Sequence, residues 1–448
     1  MKKWNQLSPS RFLKLLFGFF TLTFLIAAVI LPDRVEMFSG LRSIVTQPSK
    51  VSTNCFALGG YSGAFLNVGL VCLFCTLLYC LPKAEASAPS VIAFLLTAGF
   101  AFWGINVLNM WFGMLGVLLY CLVKRKPVGS QVNAMLFTTA LSPLYSDMLL
   151  RYPFGEVAGF SLNGLLLAVG VGLVVGFFLP AGLPFAPKVH QGYSLYSAAL
   201  PIGMTAFFLC ALLYKVLGVD VPAGPPADLL SVASGTICNV FCCVVFALCV
   251  LAALLMGCTP KEYWRLMKDS GHNVDYAKKY GNAAALMNVG VYGLFIMLYY
   301  NLIGASFNAV TIGCVFCMLA CCDSGSHPRN VWPIMVGYVA ASFLMKWLAV
   351  GSYAQSINAQ AIVVGLCFAN GLSPVSGKYG WPFGILAGML HFCLVTSVPN
   401  LHGGFCLYNG GFTACFIALL LIPVLQHFCK TKEERAADRC AATHQAPQ

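Results

Sequence analysis

Three short strings bring polar, ionisable and helix-breaking residues together in ways that could bind or gate a solute. The first is Cys322-Asp-Ser-Gly-Ser-His-Pro-Arg-Asn330, which sets a carboxyl, an imidazole and a guanidinium within seven residues beside an apolar run. It reads either as a gate or ion- or proton-coupling site built on Asp323, His327 and Asn330, or as an ordinary polar turn at a membrane face. The second is Asn370 to Lys378, with Ala140 to Asp147 as its counterpart. Here Ser142 and Ser373 each precede a proline. Such a break can expose carbonyls and hydroxyls to a cation or polar solute, or it can end a helix whose serine bonds its own backbone. The third is His402-Gly-Gly-Phe-Cys-Leu-Tyr-Asn-Gly-Gly411. Gly403 and Gly404 permit a tight entry into a helix whose free N–H groups could hold an anion or a carbonyl oxygen, with His402, Tyr408 and Asn409 completing the site. The alternative is close helix packing through small residues.

Single polar residues inside apolar runs add to these. His391 lies near the centre of one run, where an ionisable group is a functional candidate by default. Lys346 stands beside Trp347 near the end of another, as a snorkelling lysine would. Asn67 and Asn288 could bond across helices or face a pathway. Cys72-x-x-Cys75 and Cys314-x-x-Cys317 have a metal or redox spacing, but neither has a polar flank or a neighbouring histidine, and most of the 21 cysteines lie in apolar runs as small hydrophobes. No cofactor or metal is expected. There is no phosphate-binding loop of Walker type and no His-Glu-x-x-His.

The elements that position these residues must lie in a bilayer. Of 448 residues, 59% are hydrophobic and only 9% charged, against about 25% charged in soluble domains. Mean hydropathy is +0.81. These values exclude a soluble enzyme and a disordered chain. The net charge of +12 sits in short clusters such as Lys124-Arg125-Lys126, which set membrane orientation more often than they bind phosphates, so no nucleic-acid partner is expected. The partners expected are the lipid bilayer and a small molecule or ion, and a homo-oligomer is compatible. The basic N-terminus followed by the run from Phe12 to Leu31 reads as a retained first span, long enough for hydrocarbon and without a small-residue cleavage site.

Sliding the chain on itself exposes a duplication. A shift of 221 residues pairs Gly60 with Gly281, Asn67-Val-Gly69 with Asn288-Val-Gly290, Gly104 with Gly325, Asn109-x-Trp111 with Asn330-x-Trp332 and Gly116 with Gly337. With small gaps, Leu141-Ser-Pro143 matches Leu372-Ser-Pro374, Pro153-Phe-Gly155 matches Pro382-Phe-Gly384, and the His190 to Tyr196 stretch matches His402 to Tyr408. Residues 1–222 and 223–428 are read as two related halves, followed by a charged tail at 429–448.

Each half carries seven apolar segments: roughly 12–32, 63–81, 89–107, 109–123, 130–148, 157–180 and 192–218, then 230–257, 284–302, 306–322, 331–350, 356–374, 382–398 and 404–428. If all fourteen cross with a cytoplasmic N-terminus, 20 of the 26 Lys and Arg fall inside, a good positive-inside pattern. Seven is odd, so the second half would enter upside-down to the first, a recurring plan of secondary transporters. In the rival topology segments three, five, ten and twelve re-enter, each half keeps five spans, and 16 basic residues stay inside. The fourteen-crossing count is preferred. The fold class expected is an all-α polytopic membrane protein of about fourteen segments in two inverted repeats, segments three, five, ten and twelve being broken or re-entrant.

The strings His327 to Gly337, Gly371 to Gly384 and above all Leu401 to Phe412 resemble a bacterial integral-membrane family catalogued as domain of unknown function 1576. The resemblance covers all but the last ~20 residues. It implies a multi-spanning protein of the bacterial cytoplasmic membrane, here with both termini cytoplasmic, and names no substrate. The stretch Asn308 to Cys314 departs from the family pattern, where a turn richer in glycine and proline is expected. The seven-plus-seven plan is similar in architecture to nucleobase and anion transporters of inverted-repeat type, and a five-plus-five plan to urea channels. Architecture does not fix function. The leading expectation is a secondary transporter or channel for a small neutral or singly charged polar solute, not an enzyme. A membrane-embedded enzyme acting on lipid, using His327, His391, His402 and Asp323 as acids and bases, and a sensor or structural protein are the alternatives.

Overall fold

The computed structural model describes residues 2–49, 51, 53–151, 159–216, 218, 232–348 and 355–444, and no strand occurs among them. The chain is an all-α multi-pass membrane protein. Among the described residues nine helices are long and apolar enough to cross a bilayer, by length and composition, and four shorter apolar helices accompany them. Leucine, valine and phenylalanine side chains stand exposed along many of them, as lipid contact requires.

In the first half α1 (Pro9–Ile30) opens with proline in its first turn, where the missing N–H costs nothing. It is followed by α2 (Met37–Thr46) and α3 (Cys55–Tyr79), then α4 (Ala88–Phe100) and α5 (Trp111–Lys124). Next come α6 (Val132–Thr138), α7 (Ser142–Arg151), α8 (Leu162–Gly182), α9 (Ala186–Val189) and α10 (Ala199–Cys210). The second half begins with α11 (Val232–Leu255), α12 (Pro260–Met267), α13 (Tyr276–Tyr280), α14 (Asn282–Leu302) and α15 (Ala309–Leu319). It ends with α16 (Pro328–Leu348), α17 (Gln360–Ala369), α18 (Ser373–Tyr379), α19 (Trp381–Val395), α20 (Val398–Leu401) and α21 (Asn409–Phe428), and the tail forms α22 (Lys432–His444). The predicted segments match closely. Segment two starts earlier than expected because α3 carries on through a break at Gly60. Segment three stops earlier, its last residues forming a turn at 101–110. The short helix α2 was not foreseen, since ten residues with one buried edge leave little periodic signal.

Contacts sort the segment ends into two groups. At one end Lys14 donates to the Ala84 carbonyl (2.7 Å), the Ala88 N–H meets Asp275 (3.3 Å), and His272 bonds the Gln191 carbonyl (2.8 Å). At the other the Cys55 N–H meets the Phe102 carbonyl (3.3 Å), the Ala309 N–H meets Asn54 (3.3 Å), and Asn308 donates to Gln360 (2.8 Å). The first end carries the basic loops. Helix α4 therefore starts at the basic end and finishes at the other, while α15 starts beside Asn54 and finishes where the Tyr276 N–H meets the Asp323 carbonyl (2.9 Å). The broken pairs α6–α7 and α17–α18 likewise run from end to end: Ser146 of α7 accepts from Asn109 in the 101–110 turn (2.8 Å), and Ser376 of α18 accepts from Lys432 (3.1 Å).

The 221-residue shift recurs in the hydrogen bonds. Asn67 donates to the Ala101 and Ile105 carbonyls at 2.8 and 2.9 Å. Asn288 donates to the Cys322 and Ser326 carbonyls at 2.6 and 2.9 Å. Asn109 closes its turn on the Asn106 N–H and Gly104 carbonyl, as Asn330 does on the His327 N–H and Gly325 carbonyl. Gly60 and Gly281 both take positive φ (68° and 88°) just before the main run of α3 and of α14, where a side chain would be strained. The next turns are capped from elsewhere: Asp33 receives the Tyr61 and Ser62 N–H groups, and Asn5 receives the Ala283 N–H.

One predicted pairing needs correction. Pro153 and Phe154 lie outside the described residues, as does Gly155, and the structural counterparts of Gly384 and Gly388 are Gly172 and Gly176. A Cβ on Gly172 or Gly176 would overlap Phe112 or the Gly113 carbonyl, and on Gly384 or Gly388 it would overlap Pro333 or the Ile334 carbonyl. Here α5 packs on α8 as α16 packs on α19, backbone against backbone. Pro-Phe-Gly is a common enough triplet to mislead when a gap is free.

Replacing Asn67 or Asn288 by alanine strands two buried carbonyls at a turn, a cost of about 1–3 kcal/mol each. Thermal unfolding of purified protein in detergent should show a clear drop for both variants. Gly18→Ala, with no heavy atom near its Cβ position, should leave the midpoint unchanged.

Candidate functional site

The centre of the bundle is built from pieces too short to be ordinary spans. All of α15 and nearly all of α4 are buried by protein, which is the condition for broken backbone at membrane depth. They run antiparallel and touch at Gly99 and Gly313, where a Cβ on either would overlap the other's carbonyl oxygen. Around them lie the 3-10 turns at 139–141 and 370–372, joining α6 to α7 and α17 to α18.

These turns do not offer free carbonyls, as the Ser-Pro strings predict. The Ala140 carbonyl accepts from the Leu407 N–H (3.0 Å) and the Gly371 carbonyl from the Leu195 N–H (2.9 Å). Each half closes the break in the other. Ser142 donates to the Asn109 carbonyl (3.3 Å) and Ser373 shares a hydrogen bond with Ser326 (3.2 Å), so both serines bond protein groups.

On one side of the centre a polar network joins Tyr196, Asn370, Tyr292 and Ser326, while the nearby Tyr300 and Ser324 hydroxyls have no partner among the described residues. Asn370 donates to the Met318 carbonyl (2.7 Å) and the Tyr292 hydroxyl (3.0 Å), and its amide oxygen lies 2.8 Å from the Tyr196 hydroxyl. That hydroxyl also reaches the Cys317 carbonyl at 2.8 Å. The Ser326 hydroxyl donates to the Asn370 carbonyl at 3.3 Å. On the other side Thr139 stands where Asn370 does and Ile105 where Ser326 does, so the network is missing. Tyr408, the counterpart of Tyr196, is buried with no partner for its hydroxyl among the described residues. The indole N–H of Trp103 is likewise buried and unpartnered. Both rings sit edge-on to Phe100 with centroids 5.2 Å away. Thr97 and Thr139, with hydroxyls 3.5 Å apart, are the nearby polar groups of α4 and the 139–141 turn. Two orphaned donors flanking one phenylalanine form the candidate site.

The remaining predicted residues distribute elsewhere. His391 bridges the Tyr338 hydroxyl (2.5 Å) and the Gly410 carbonyl (2.9 Å), so Nε2 carries the proton and the ring ties α16, α19 and α21 together. Gly403 and Gly404 do not open a helix as expected: α21 begins at Asn409. Instead they form a turn at positive φ (58° and 74°), and the Gly404 carbonyl accepts from the Val51 N–H (2.9 Å). His402 is buried edge-on to Phe412 with the Gly203 backbone beside its ring, and the Asn409 side-chain N–H group is orphaned. Lys346 is exposed at the end of α16, where its amine can reach the headgroups.

Asp323, His327 and Asn330 sit together at the basic end. The Ala277 N–H donates to one carboxyl oxygen of Asp323 (2.9 Å) and the other oxygen has no partner. Burial, with Asp275 nearby, pushes this carboxyl up to about 7. His327 is pushed down to about 4 by burial. Its Nε2 reaches the Asp269 carbonyl (3.0 Å), so the ring is neutral with its proton there. Asn330 is spent on the turn. The four groups that an acid–base reading needs do not converge: Asp323 and His327 lie at one end, His402 at the other, His391 between helices. Among the described residues no group of three or more His, Cys, Asp or Glu could hold a metal ion, and Cys72, Cys75, Cys314 and Cys317 are buried free thiols.

Sequence reading missed Tyr196, Asn370, Trp103 and Thr139. The match of Tyr196 with Tyr408 across the halves was the available signal for the first. Asn370 opens one of the quoted strings, but its match in the first half is Thr139, whose single hydroxyl does not mark an amide's several bonds.

A family model described as a protein of unknown function (DUF1576) matches residues 33–215 and 257–427, most of the chain. No curated protein and no solved structure matches it.

Asp323 gives a pH test. An aspartate pKa raised from 3.8 to about 7 on folding means the folded state holds a proton that the unfolded state has lost. Stability therefore falls as pH rises between these values and is level above about 7. Asp323→Asn keeps the acceptor for the Ala277 N–H and removes the titration. Its melting temperature should exceed that of the wild type at pH 8, and the gap should shrink steadily towards pH 4.5.

Proposed function

The chain belongs to the DUF1576 family, whose description assigns no activity, and on that premise we propose that it is a transporter or channel moving a small polar solute. In this reading two halves of seven segments cross the membrane in opposite senses, and the solute passes where they meet. Helix α3 runs towards the basic end and its counterpart α14 runs away from it, which supports the inversion. The broken segments run from end to end, which favours fourteen crossings over ten. Lys and Arg crowd the end that holds α22, so that end is placed in the cytoplasm, in a bacterial cytoplasmic membrane, with both termini there.

The observation that carries the reading is the asymmetry at the centre. A buried hydroxyl or indole N–H without a partner costs about 1–3 kcal/mol, a cost that Asn370 removes for the Tyr196 hydroxyl. Trp103 and Tyr408 leave it standing at the contact of α4 and α15, and a polar solute with acceptor atoms would satisfy both. Among the described residues the centre carries no charged side chain, which suits a neutral or singly charged solute. Enzymatic chemistry is disfavoured by the separation of the acids and bases.

The test is uptake into proteoliposomes from a panel of labelled neutral and singly charged solutes, comparing wild type with Tyr408→Phe and Trp103→Phe. Removing an unpaired hydroxyl should leave thermal stability equal or raised, while uptake of the transported solute falls at least tenfold. Uptake no greater than in empty vesicles for every solute, or equal in wild type and Tyr408→Phe, would overturn the proposal.

A further inference from the structure

At the basic end a cavity of about 630 Å³ opens between the N-terminal end of α16, the end of α18, the loop after α12 and the tail helix α22. Its walls include Lys268, Arg329 and Lys432 from three separate elements, with Asp269 and Glu433 as the acids. Both acids are already engaged. Asp269 is bound by Lys279 (2.6 Å), the Tyr280 hydroxyl (2.6 Å) and the Gly271 N–H (2.8 Å), and Glu433 pairs with Lys378 (3.2 Å). Among the described residues none of the three cations has an ion pair: Arg329 lies over the Trp264 ring at 5.5 Å, and Lys432 donates to the Ser376 carbonyl. The Arg329 guanidinium also repels the Lys432 ammonium. Burial and then the neighbouring Arg329 and Arg435 hold the Lys432 amine below its usual value. Cations gathered in excess of the free acids around them attract an anion. Trp332 and Trp381 stand at the rim, 37% and 58% exposed, as interfacial tryptophans do.

We infer that this cavity is a binding site for a phosphate-bearing anion, held by Arg329, Lys432 and Lys268 beneath the tail helix. A guanidinium offers paired N–H donors to phosphate oxygens and two ammonium groups supply the remaining charge. The volume exceeds that of a bare phosphate, leaving room for the rest of a lipid headgroup or of a free phosphate ester. Because α22 supplies Lys432 and is tied to α18 by Arg435, which donates to the Tyr379 carbonyl (2.6 Å), occupancy fastens the tail to the segment-twelve helix. The site stands whether or not the chain moves a solute.

Calorimetric titration of the purified full chain in detergent tests this with three probes: inorganic phosphate, dihexanoyl phosphatidylglycerol and dihexanoyl phosphatidylcholine. Saturable binding of either anionic probe, weakened at least tenfold by Arg329→Gln and by Lys432→Gln but retained in Arg329→Lys and in Lys124→Gln, is the expected result. Binding of both anionic probes indicates a site open to free phosphate, and binding of the phosphatidylglycerol alone indicates a headgroup site. Bound anion should also slow tryptic cleavage within α22, a readout that does not depend on the glutamine variants folding. Saturation by neither anionic probe, equal binding of phosphatidylcholine, or undiminished binding in folded Arg329→Gln would overturn the inference.

Discussion

Broken backbone deep in an apolar bundle must find partners for every N–H and C=O it frees, because no water is there to accept them. The whole architecture follows from how this chain meets that demand. Two asparagine side chains, Asn67 and Asn288, hold the turns after α4 and α15 by bonding two carbonyls each. The two other breaks are closed in trans, Leu407 on Ala140 and Leu195 on Gly371. Neither half can satisfy its own interrupted helix alone. That mutual dependence explains why the halves are interlocked along α4 and α15 instead of standing side by side as separable bundles.

Once the backbone is satisfied in this reciprocal way, what distinguishes the halves is the side chains set on the shared scaffold. On the Tyr196 side Asn370, Ser326 and Tyr292 form a polar network, which rigidifies the contact. On the Tyr408 side threonine and isoleucine replace asparagine and serine, and the aromatic donors are left idle. The two counterparts Tyr196 and Tyr408 therefore differ in what a polar ligand would gain by meeting them. A ligand that pairs with the idle donors lowers the energy of that side only, which is the differential interaction that any population shift requires.

Much of this was legible in the sequence, for identifiable reasons. Apolar runs report their own length, so the segments were placed, although the start of α3, the end of α4 and the start of α10 fall seven or eight residues from the expected bounds. Gapless matches report equivalent backbone, and the Asn67–Asn288 and Asn109–Asn330 pairs proved to make the same bonds. The signal failed where geometry depends on partners remote in the chain. Tyr196 and Asn370 are 174 residues apart, and nothing local marks them as neighbours. Gly403-Gly404 looked like a helix entry because glycine allows one, yet it equally allows the positive-φ turn that the Val51 contact selects. An orphaned donor such as the Trp103 indole is invisible until every possible partner has a position.

The central claim is that the halves are threaded through the membrane in opposite senses. Lys83 and Gly304 are 221 residues apart and both occupy positive-φ positions (63° and 67°) in the loops after α3 and α14, so they are equivalent points of the two halves. Inserting a topology reporter after each, in separate full-length chains made in cells, reads their sides directly. The account predicts a cytoplasmic signal for the insertion after Lys83 and an external one after Gly304. Signals from the same side would contradict it.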